Sequence, residues 1–69
     1  MKHIKVFSSN LESIAYDLES KTLEVQFKGG SRYQYENVPP GTYAGLLNSA
    51  SKGSFFAQHI KNNFRTRKI

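Results

Sequence analysis

Cysteine is absent from this sequence, which excludes disulfide bracing and thiolate metal sites. No apolar run approaches the ~20 residues that a membrane-spanning helix requires. Met1 to Ser9 lacks the apolar core of a secretory signal. By elimination, the expectation is a soluble domain of the cytoplasm. His3 and His59 lie far apart, with no acidic cluster beside either, so ligand type and spacing give no metal site and no cofactor is expected. Acidic residues are missing from everything after Glu36.

What remains is enough for one small domain over residues 1–69. A chain of this size buries only about 60% of its unfolded surface, so its core is thin. Hydrophobic residues still make up 38%, with five Phe and four Tyr, which is too apolar for plain disorder. Charge is divided unevenly. Up to Glu36, Lys2, Lys5, Lys21, Lys28 and Arg32 balance Glu12, Asp17, Glu19, Glu24 and Glu36. Beyond it, Lys52, Lys61, Arg65, Arg67 and Lys68 carry the whole net charge of +5. A basic C-terminal end of this kind points to a polyanionic partner. The same cations would also serve a helix C-terminus, where each offsets the dipole by a few tenths of a kcal/mol.

Strand periodicity is clearest from Thr22 to Lys28, where Leu23, Val25 and Phe27 share one face. Ser13 to Asp17 alternates around Ile14 and Tyr16, and Arg32 to Glu36 around Tyr33 and Tyr35. Ile4-Lys5-Val6 also alternates but is too short for more than an edge strand. Loop length fixes how the faces combine. A two-residue Gly29-Gly30 turn would pair Gln26 with Tyr33 and place the tyrosines on the polar face. A three-residue loop, Lys28-Gly29-Gly30, pairs Val25 with Tyr33 and Leu23 with Tyr35, and puts Gly30 at a left-handed position. Because a one-residue slip reverses every side chain, the apolar face selects the second register. By the same reasoning a four-residue loop from Leu18 to Lys21 pairs Tyr16 with Leu23 and Ile14 with Val25.

Pro39 and Pro40 end the sheet, since neither can donate to a ladder. Tyr43, Leu46, Leu47 and Ala50 then form one helical stripe, with Gly41 or Thr42 as cap. Gly53 reads as a turn or terminator. Ser54 reads as the N-cap of a second helix with Phe56, Ile60 and Phe64 inside and Gln58, Lys61, Asn62 and Arg65 outside. The expected fold is α+β: a three-stranded antiparallel meander followed by two helices covering one face of the sheet, with Phe27 and Leu47 as core anchors.

Ser8-Ser9, Ile14, Tyr16-Asp17, Leu23, Val25, Phe27, Gly30, Tyr33-Gln34-Tyr35 and Val38-Pro39 together resemble the KTSC domain family. Tyr43, Leu46, Ala50-Ser51, Gly53, Phe55-Phe56 and Ile60 extend the likeness over almost the whole chain. The Tyr-x-Tyr followed by Val-Pro is its most specific part. Ala15 stands where the family commonly has glycine, and Phe64 where tyrosine is usual. This short module occurs at the C-terminus of some lysyl-tRNA synthetases and as a stand-alone bacterial protein. The resemblance implies RNA binding, through association with a tRNA enzyme, and implies no catalytic residue.

The residues themselves weigh the same way. Tyr33 and Tyr35 are the right types to stack bases, but their register places them with the core, hydroxyls toward the sheet rim. Ser51, His59 and Asp17 supply the types of a hydrolytic triad without a nucleophile elbow around the serine. Ser8, Ser9 and Ser51 read as caps and turn formers. The leading expectation is therefore a noncatalytic module in which Lys61, Arg65, Arg67 and Lys68 meet phosphates of tRNA or single-stranded RNA. Lys52 extends the track, Gln58, Asn62 and Asn63 add polar contacts, and the basic tail is mobile when free. The alternative is a protein-interaction module that docks on an acidic partner or accepts a strand at the sheet edge. A membrane surface ranks below both, because the core requires the apolar stripe of the second helix.

Overall fold

A computed structural model describes all 69 residues. Five strands form one antiparallel sheet in the order β1 (Ile4–Lys5), β2 (Leu11–Asp17), β3 (Thr22–Phe27), β4 (Arg32–Tyr35) and β5 (Thr66–Lys68). Helices α1 (Pro40–Asn48) and α2 (Lys52–His59) lie between β4 and β5 in the chain. The class is α+β, but the sheet has two more strands than the periodicity indicates. Both additions are edge strands: β1 is the short strand that Ile4-Lys5-Val6 allows, and β5, three residues without apolar alternation, has no counterpart in the periodicity. The chain from Arg65 to the C-terminus is not a free tail. Glu36 N–H donates to the Arg65 carbonyl at 2.9 Å and Ile69 N–H to the Arg32 carbonyl at 3.0 Å, closing β5 onto β4.

The central hairpins have the registers that the apolar face demands. Tyr16 stands opposite Leu23, Ile14 opposite Val25, Val25 opposite Tyr33 and Leu23 opposite Tyr35. Gly30 has φ +103°, the left-handed conformation that a side chain resists. At the start of β2 the pairing shifts between Leu11 and Ser13. This bulge lets Leu11 and Ile14, three apart, both enter the core, which strict alternation forbids.

Leu11, Ile14, Leu23, Val25, Val38, Leu46 and Ile60 are fully buried between the sheet and the helices. Leu46, at 0% exposure, anchors α1; Leu47 and Phe27, the expected anchors, are half-buried and pack around this centre. Tyr16 stacks on Tyr43 with centroids 4.5 Å apart, and its hydroxyl donates to the Val38 carbonyl at 2.5 Å.

The helix ends differ from those read in the sequence. Helix α1 starts at Pro40, capped by Pro39 rather than Gly41 or Thr42, because proline at the first helical position gives up an N–H that has no partner there. Ser51, not Ser54, holds the N-cap position of α2, without a side-chain bond to the helix backbone, and Gly53 lies inside the first turn rather than ending a segment. A Cβ on Gly53 would stand 2.8 Å from Asn10 Oδ1, so glycine admits the β1–β2 loop against the helix. The C-terminus comes early, at His59. There Asn63 Nδ2 donates to the His59 carbonyl at 2.8 Å, satisfying a helix-end acceptor in place of a further turn. Lys61 and Asn62 thus sit in a turn, and Arg65 lies outside any helix.

Candidate nucleic-acid interface

The helices leave part of their own face of the sheet uncovered. Beyond α2 a cleft of about 500 Å³ opens between its last turn and strands β3, β4 and β5. Its walls are Phe27, Tyr33, Tyr35 and Phe56, with Asn10, Ala57, Lys61, Asn62 and Thr66 completing the lining. The rings hold one another edge to face: Phe27 on Tyr33 at 5.7 Å, Phe27 on Phe56 at 5.5 Å and Tyr35 on Phe56 at 5.4 Å. Such packing fixes the walls before anything enters. Tyr33 and Tyr35 belong to the helix-covered face, as their register requires, and also line its opening. Burial, with Tyr33 adding a smaller effect, pushes the Tyr35 hydroxyl up to about 12, so it remains a neutral donor at physiological pH.

The five cations of the second half do not form a single track. Lys61 lines the cleft, and its ammonium makes no ion pair within the chain. Lys68 lies opposite Tyr33 across the β4–β5 ladder, placing it on the cleft side of the sheet. Arg67, one residue earlier, points to the other face, where it donates to Gln34 Oε1 at 2.9 Å. Arg65 is exposed in the segment leading into β5. Lys52, at the start of α2, donates to the Ser49 carbonyl at 3.1 Å and is not part of the cleft lining. Of the polar residues expected beside them, Asn62 lines the cleft, whereas Asn63 is engaged in ending α2 and Gln58 is exposed on it.

Ser51, His59 and Asp17 are not brought together. The Ser51 hydroxyl donates to Ser54 Oγ, His59 packs on Phe55 at 4.5 Å, and Asp17 accepts from the Ser20 hydroxyl at 2.7 Å.

The opposite face of the sheet carries a polar cluster that strand periodicity does not reveal. Glu24 is only 6% exposed although no helix covers it. His3 donates from Nε2 to Glu24 Oε2 at 2.5 Å, and its Nδ1 is paired with the Ser13 hydroxyl at 2.8 Å. Gln34 donates to Glu24 Oε1 at 2.9 Å, and Arg32 lies 3.6 Å away. Burial alone would raise the Glu24 carboxyl. The hydrogen bonds from His3 and Gln34 and the neighbouring positive charges outweigh it, and the group is held below its ordinary value. One signal was available in the sequence: Glu24 shares a face with Gln26, Gln34 and Arg32 on adjoining strands, and His3 shares the parity of Lys5.

Comparison with known proteins agrees with this architecture. A KTSC domain protein of Yersinia pestis, known from its crystal structure, superposes with a TM-score of 0.93 at 40% identity, covering 99% of this chain and 96% of that one. An uncharacterised protein of Stutzerimonas stutzeri is 44% identical over 61 residues, covering 88% of this chain and 86% of the relative. A lysine–tRNA ligase of Nostoc punctiforme is 33% identical over 66 residues, which are 96% of this chain but only 12% of the ligase. The KTSC domain pattern itself matches residues 7–64. With fold and sequence pattern in agreement across most of its length, the chain belongs to the KTSC domain family.

Proposed function

We propose that this domain is a noncatalytic module that binds RNA, tRNA or a single strand, through backbone phosphates. The observation that carries the reading is the position of Lys61 and Lys68 around an aromatic cleft whose lining contains no acid. Exposed Arg65 adds a third cation at the same end of the molecule, and Arg67 on edge strand β5 and Arg32 on neighbouring β4 present charge from the reverse face of the sheet. A phosphate chain crossing this edge meets positive charge on both sides. The relation to a segment of a lysine–tRNA ligase, an enzyme that handles tRNA, points in the same direction.

The salt dependence of single-stranded RNA binding tests this reading. Four neutralised phosphates give a log–log slope of roughly −3, at about 0.7 per contact. Lys61→Gln and Lys68→Gln together flatten that slope by roughly 1.4 and weaken binding to all sequences alike. Arg67→Gln has the smaller effect, because Gln34 already holds its guanidinium. Absence of binding at about 150 mM salt, or affinity indifferent to the two lysines, refutes the proposal. Protein interaction would then lead, favoured by Phe7, which is 94% exposed just beyond edge strand β1 and available to a strand-adding partner.

A further inference from the structure

We infer that the cleft is a seat for one unpaired RNA base, which enters between α2 and the sheet while its phosphate stays at Lys61. The inference rests on the RNA-binding reading and adds to it what the cleft recognises. A site for phosphate alone needs only cations, whereas this one sets four aromatic rings beside a single ammonium at Lys61. The rings are fixed by mutual edge-to-face contacts, so an occupant spends little on ordering them. A base gains from such walls whatever its identity, because every base has a π-face.

The polar groups around the cleft fit a base edge better than an aliphatic side chain. Asn10 accepts the Ser8 hydroxyl at Oδ1, which leaves its Nδ2 donor free. The Asn62 amide has no partner within the chain, and neither do the hydroxyls of Tyr33 and Tyr35, which reach the surface rather than lying buried and unpaired. Amides donate and accept at once, as base edges do; an aliphatic occupant would leave them unpaired. An acidic peptide would satisfy Lys61 but not the aromatic walls. A base held in a duplex is stacked and paired and cannot enter, so the inference is confined to single strands, loops and splayed ends.

The experiment compares a fluorescent single-stranded RNA hexamer with an abasic ribose-phosphate hexamer of equal charge, both titrated against the full chain. The expected result is about tenfold or greater loss for the abasic strand, the effect of forfeiting one base–aromatic stack. Ala57→Phe, an exposed position on α2 that lines the cleft, fills the seat and leaves every cation in place. It should lower the affinity of the hexamer to that of the abasic strand and leave the abasic strand unaffected. Equal binding of the two strands by the parent overturns the base seat and leaves phosphate binding standing. Failure of both strands to bind overturns both readings. The strand comparison needs no variant, so it decides the question even if Ala57→Phe folds poorly.

Discussion

Replacing Glu24 with glutamine changes one atom in a carboxylate that three side chains hold on the uncovered face of the sheet. Two partners matter for the energy. His3 at 2.5 Å and Gln34 at 2.9 Å are hydrogen-bonded to it at a position with 6% exposure. Arg32, at 3.6 Å and 43% exposed, is screened and adds at most a fraction of a kcal/mol. A hydrogen bond to a charged group contributes about 1.5–3 kcal/mol and a neutral one about 0.5–1.5. Converting two of the first kind to the second therefore costs about 2–3 kcal/mol. At roughly 4–8 °C per kcal/mol for a domain of this size, Glu24→Gln should melt roughly 10–20 °C below the parent at neutral pH.

The pH dependence follows from the same site. Because the folded state holds this carboxyl below its ordinary value of 4.5, its stabilisation is complete above that value and is lost as pH falls through the lowered one. The gap between parent and variant should thus be widest at neutral pH and close in acid. Circular dichroism melts of both proteins from neutral pH into the acid range make the comparison. Equal melting at neutral pH, or a gap that widens in acid, would refute the assignment of Glu24 as the hub of this face.

Three further substitutions test the core and the early end of α2. Leu46→Ala should cost about 2–5 kcal/mol and largely unfold a domain with about 5 kcal/mol to lose, whereas half-buried Leu47→Ala should cost clearly less; urea titration ranks them, and the reverse order would contradict the packing. Asn63→Ala removes the side-chain bond to the His59 carbonyl and should cost about 1 kcal/mol by the same titration; an unchanged midpoint would mean that the bond is not what ends the helix.

The hairpins were legible because two kinds of information converged. Loop length allowed only a few registers, and of these only one put Leu23, Val25, Tyr33 and Tyr35 on a common face. The C-terminal edge was not legible for the opposite reason. Thr66-Arg67-Lys68 has no apolar alternation, and it becomes a strand only because β4 offers a free ladder edge after the chain has passed through both helices. The pattern Phe56, Ile60, Phe64 reads as a continuous helix; a local side-chain bond from Asn63 ends it at His59 while Ile60 stays buried. This ending moved Lys61 and Asn62 from a helix surface to a cleft wall. The cations were visible in composition, but their division between two faces depends on strand parity in β5, which no helical reading of the tail contains. Glu24 was hidden among ordinary polar positions of β3, because its burial comes from His3, 21 residues away.

The most direct test of the account is an amide chemical-shift map of the ¹⁵N-labelled domain titrated with single-stranded RNA. The largest changes are expected at Tyr33, Ala57, Lys61, Asn62, Thr66 and Lys68, with little change at Ser13 and Glu24 on the reverse face. Shifts centred on Ser13 and Glu24, or a spectrum unmoved by RNA at about 150 mM salt, would contradict it.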